Sequence, residues 1–105
     1  MAKNSSTGGS KSWPSSRSLV LNTKGNTDVQ DITAELLRLV QQSGLCTGCV
    51  TIFCPSSTSG VTTVEYEPGA VSDLKRMFEE LQPSSRDYAH NATGHDGNGQ
   101  SHIRA

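Results

Sequence analysis

The sequence predicts an α+β fold, a small and mostly antiparallel sheet with two main helices packed on it. Two observations carry this reading. Of the 34 apolar side chains in the 105 residues, 26 fall between Leu19 and Leu81, so the core-building part is short. Inside that window, stretches with helical spacing of apolar residues alternate with short β-branched runs closed by Gly, Pro and Asn. A chain of this length is one domain at most.

Each element follows in order. Residues 1–17 are rich in Ser and Gly and poor in apolar side chains. They read as a disordered leader, with a transit peptide as the alternative, and the domain spans 18–105. Ser18–Asn22 is a short apolar run closed by Lys24-Gly25-Asn26, which reads as a strand and turn. Thr27–Ile32 is a second short strand candidate. Thr33 caps a helix running to about Ser43, with Leu36, Leu37, Leu39 and Val40 as its apolar residues and Gly44 as its stop. Leu45–Phe53 reads as a buried strand and Val61–Tyr66 as a β-branched one. Pro68 is placed to open the next helix. Ala70, Leu74, Met77, Phe78 and Leu81 recur at helical spacing up to Pro83, which ends it.

Composition excludes several functions. With a net charge of −1 and 18% charged residues, the chain lacks the basic excess of a nucleic-acid binder. No run reaches the roughly 18 apolar residues of a membrane span. Three Cys are too few for a disulfide-built scaffold, and the absence of a secretory apolar region points to the reducing cytoplasm.

The tail carries the chemistry. His90, His95 and His102 lie within thirteen residues, among Asp87, Asn91, Asp96 and Asn98. Imidazole is the commonest ligand of zinc-like metals, and Gly94, Gly97 and Gly99 allow tight folding around it. Composition alone leaves a metal site and a solvated polar tail both open. Cys46-Thr47-Gly48-Cys49 is a C-x-x-C. In an extended strand its two thiols point to opposite faces, so it reads as strand filler rather than as a chelating or redox pair. The Ser56–Gly60 loop has the hydroxyls of an anion-binding turn, but on spacing alone it reads as an ordinary polar loop.

Two long stretches add a resemblance. PSSTSGVTTVEYEPGAVSDL (Pro55–Leu74) and YAHNATGHDGNGQSHIRA (Tyr88–Ala105) resemble the two signatures of the YjbQ-like family, in the same order. VQDITAELLRLVQQSGL (Val29–Leu45) is similar to its first helix. The resemblance implies a small α+β fold, a homotrimer when full length, and thiamine-phosphate synthase-type activity that joins a pyrimidine diphosphate to a thiazole phosphate. It implies catalytic roles for Glu65, His90 and His102. Ligand-binding roles fall on Ser57, Thr58, Asn91, Asp96, Asn98, Ser101 and Arg104. A divalent metal, Zn or Mg, would sit on His90 and His102. His95, which has no firm counterpart in the signatures, is the third candidate. Two positions depart from the family pattern: Ser56 and Gln100 stand where many members carry His. Family members also continue past the H-[LI]-R-A run, so the resemblance implies a domain incomplete at its C-terminus, and an inactive fragment or a non-catalytic binding trimer as alternative readings.

Overall fold

The computed structural model of the protein describes residues 16–105. The leader expected over residues 1–17 lies, but for Ser16 and Arg17, outside the described residues. The described residues divide into two compact units. One comprises the residues up to Thr23 with Gln30–Thr51, and the other Lys24–Val29 with Ile52–Ala105.

The first unit carries α1, Thr33–Ser43. Its first turn is served by Asp31 rather than by Thr33. The Asp31 carboxylate accepts the Thr33 N–H at 2.9 Å. Hydrogen bonds from the Thr33 side chain and backbone hold its pKa below the usual carboxylate range. The helix stops where the sequence places the stop. Gly44 takes φ 73° and its N–H returns to the Gln41 carbonyl, a left-handed closure that costs a glycine no side-chain clash.

The second unit carries three helices. In α2, Pro68–Leu81, Glu67 is the N-cap, and its carboxylate accepts the N–H groups of Gly69 and Ala70. Two of the four donors that a helix start leaves without partners are thereby satisfied. Pro68 costs nothing at N1, because its absent N–H would have had no helical partner. Ala70, Val71, Leu74 and Phe78 are half-buried, while Met77 and Leu81 on the same helix remain exposed. Two short helices follow, α3 (Ala89–Gly94) and α4 (Gly99–Arg104), packed against each other. The sequence shows no elements in this stretch, because it has too few apolar residues to show a period.

The sheet is the main correction. Among the described residues no segment is a β-strand. Leu45–Phe53 and Val61–Tyr66 run without a ladder of backbone hydrogen bonds, and Val50 and Phe53 are 62% and 80% exposed. The physical reason lies in what β-propensity measures, which is the fit of a side chain to a half-buried pleated surface beside a partner. Runs such as VTTVEY have that propensity without the neighbour that realises it. Among the described residues the α+β class and the antiparallel sheet therefore give way to four helices joined by irregular chain. The buried core expected under the helices is absent as well: among the described residues only Gly99 and Gln100 are buried.

Candidate metal centre

The site is built between α3 and α4. Tyr88, the N-cap of α3, donates its hydroxyl to the Pro83 carbonyl at 2.7 Å. This ties the start of α3 to the chain leaving α2. His90 follows in the first turn. The helix closes at His95, which takes the left-handed conformation at φ 59°, uncommon for a residue with a side chain. Gly97, at φ 67°, completes the reversal into α4.

Asn91 then reaches across. Its Oδ1 accepts the Gly99 N–H at 2.9 Å and so supplies a partner for a first-turn donor of α4. Asn98 occupies the N-cap position yet makes no capping bond with its side chain. Its carboxamide points instead at His90 and Asp96. With its oxygen toward Asp96 two acceptors would meet. With its NH2 turned inward it donates to Asp96 Oδ1 at 2.7 Å, Asp96 Oδ2 at 3.1 Å and His90 Nε2 at 3.1 Å. The Nε2 of His90 then accepts from Asn98, so a metal bound at this atom would displace that hydrogen bond.

His102 lies one turn into α4. Its ring centroid is 4.1 Å from that of His90, with the planes tilted by 46°. His90 Nε2 stands 3.2 Å from Asp96 Oδ1. One donor atom from each of His90, Asp96 and His102 lies within 4.8 Å of the other two. Two imidazoles and a carboxylate form a donor set that suits a borderline divalent metal such as zinc. Magnesium prefers oxygen ligands.

The remaining sequence candidates are placed as follows. His95 is exposed and stands outside the three-residue group. Ser101 is half-buried in α4, with its N–H on the Asn98 carbonyl. Ser57 and Thr58 sit in an exposed turn where the Ser56 hydroxyl accepts the Thr58 N–H at 3.2 Å. This turn leads to Gly60, where a Cβ would lie 3.6 Å from the carbonyl carbon of Ala105, at the end of α4. Glu65 is exposed in Val61–Tyr66. Arg104 has all five of its N–H groups engaged inside the chain. Two features appear only in the fold. Gln100 is buried, with its Oε1 unpartnered, and Arg104 is a hub. No local pattern announces either, since both depend on contacts made after folding.

A helical protein with a two-histidine, one-carboxylate cluster is thus what the described residues define. The chain belongs to the family described as UPF0047 protein YjbQ-like, which it matches over residues 17–105. It is similar to a UPF0047 protein of Methanothermobacter thermautotrophicus, 34% identical over 87 residues, covering 83% of this chain and 59% of the relative. It is also similar to the UPF0047 protein YugU of Bacillus subtilis, 30% identical over 91 residues, covering 85% of this chain and 66% of the relative. The chain therefore spans less than two thirds of the length of these relatives. No solved structure matches it.

Among the described residues, no helix is long and apolar enough to cross a membrane.

Proposed function

We propose that His90, Asp96 and His102 form a divalent-metal centre that receives a phosphorylated substrate, and that the reaction is a transfer of the thiamine-phosphate synthase type. The convergence of the three donor atoms within 4.8 Å carries this reading. In such a transfer a diphosphate leaves a pyrimidine methylene carbon, and the thiazole nitrogen captures that carbon. A bound metal would supply positive charge to the leaving oxygens. The chain's own residues would hold the centre. Asn98 holds the Asp96 carboxylate and the His90 ring close together in the metal-free chain, and would give up its contact with His90 Nε2 to a bound metal. Asn91 fixes the start of α4, which carries His102. The half exposure of Asp96, at 49% of its side chain, leaves a face open to a substrate.

Two experiments test this. Calorimetric titration with Zn²⁺ should show binding that His102→Ala abolishes and His95→Ala reduces far less. Equal losses from both substitutions would count against the assignment. Incubation of the Zn²⁺-loaded chain with the pyrimidine diphosphate and thiazole phosphate should then release one diphosphate per coupled product. Metal binding without turnover would favour the second reading, a non-catalytic binding protein.

A further inference from the structure

His102 sits on a helix of six residues. Isolated helices shorter than about 12–15 residues are marginal in water, so α4 is held from outside. Asn91 holds its first turn through the Gly99 N–H. Its last turn is held by Arg104.

The guanidinium has five N–H donors, and all five are used. Nε donates to the Gln82 carbonyl at 3.1 Å and Nη2 to the same oxygen at 2.7 Å. Nη2 also meets Glu79 Oε2 at 2.9 Å. Nη1 donates to Asn26 Oδ1 at 3.1 Å and to Thr27 Oγ1 at 2.6 Å. The acceptors come from two places distant in sequence, the C-terminal end of α2 and the turn at Asn26–Thr27. The side chain is only 7% exposed, and Glu79 balances its charge. Gln82 is the C-cap of α2, where carbonyls lack helical partners and a cation is electrostatically favoured.

Arg104 and His102 are two residues apart, about 200° around a helix. The contacts agree with this: His102 meets His90 of α3, and Arg104 meets α2 and the Asn26–Thr27 turn. One short rigid element thus joins the clamp to the metal centre.

We propose that Arg104 is a positioning residue. It fixes α4 so that the His102 ring lies against His90, and does not itself take the substrate. The functional consequence rests on the metal-centre reading, but the positioning does not. A lysine could not substitute, since three donors on one nitrogen cannot reach acceptors spread around a planar fork.

The test uses the 105-residue chain. Ring-proton contacts between His90 and His102 are read by NMR in the metal-free protein, and Co²⁺ affinity by visible absorption. Arg104→Lys and Arg104→Gln should both lose the ring contact and weaken Co²⁺ binding at least about tenfold, while α-helical circular dichroism from α1 and α2 persists. Unchanged ring contact in both variants would overturn the proposal. Should both variants unfold, the double substitution Asn26→Ala with Thr27→Val decides. It removes only the Nη1 acceptors, so the ring contact should weaken, and its full retention would overturn the proposal. A wild-type chain that shows the ring contact but takes no Co²⁺ would sink the metal-centre reading alone.

Discussion

Two glycines beside the centre separate its role in folding from its role in binding. A Cβ on Gly99 would collide with the Cβ and Cγ of Tyr88, atoms fixed close to the backbone of the α3 N-cap. Gly99→Ala should therefore cost about 1–3 kcal/mol, the usual penalty of overpacking, and lower the melting temperature. A Cβ on Gly94 would lie 2.8 Å from His90 Nε2 and 3.1 Å from Asp96 Oδ1. Those are side-chain tips that can swing away, and alanine gains roughly 0.5–1 kcal/mol over glycine in a helix. Gly94→Ala should leave the melting temperature nearly unchanged while weakening Co²⁺ binding about tenfold, or ~1.4 kcal/mol. Thermal melts beside Co²⁺ titrations check both. If Gly94→Ala binds Co²⁺ as wild type does, those two side chains are not the ligands.

At the level of elements, α1 and α2 were legible and the tail helices were not. Leucines and valine at helical spacing, with Gly44 behind them, mark α1. Pro68, the apolar spacing from Ala70 to Leu81, and Pro83 mark α2. The signal works because amphipathic spacing and chain-breaking residues are properties of a single segment. Helices α3 and α4 have no such spacing and depend on Tyr88–Pro83, Asn91–Gly99 and Arg104, each a contact made outside the helix it holds. The strands misled for the opposite reason, having local preference without a partner. Of the site, the sequence shows the histidines but not which two converge. His90 and His102 are brought together by a turn at residues 95–98 that leaves His95 pointing elsewhere. The link between α2 and α4 also has a pH signature. Hydrogen bonding to Arg104, and then to the Ser84 backbone, holds Glu79 below its ordinary value of 4.5. A carboxylate depressed by folding contributes above its unfolded pKa and loses that contribution as acid protonates it. Acid titration below about pH 4.5 should therefore loosen α4 in the wild type, seen in the backbone chemical shifts of α4. Glu79→Gln should show a smaller acid-dependent change, and an identical titration would dismiss the linkage.

For the molecule as a whole, the deciding fact is how little is covered. Leu37, Val50, Phe53 and Leu81 are each more than half exposed, and among the described residues no apolar side chain is buried. Burial of apolar area at ~25 cal/mol per Å² is the dominant favourable contribution to folding. A domain that forgoes most of it falls short of the usual ~5–15 kcal/mol. The chain by itself should melt broadly and associate as its concentration rises, because exposed apolar patches seek cover. Light scattering after size exclusion, over a range of concentrations, measures the association, and calorimetry the breadth of the melt. A monomer at all concentrations with a sharp melt would contradict this expectation.

The centre and its clamp also differ in reach along the chain, and this bears on the order of folding. His90, Asp96 and His102 are spaced six residues apart, and a loop of about ten residues closes in on the order of 10–100 ns. Arg104 must find Asn26 and Thr27 from 78 and 77 residues away, and longer loops carry a greater closure entropy. The histidines can therefore meet many times before the clamp closes once, each encounter dissolving again. What Arg104 adds is persistence, converting a frequent, fleeting collision of side chains into a lasting one.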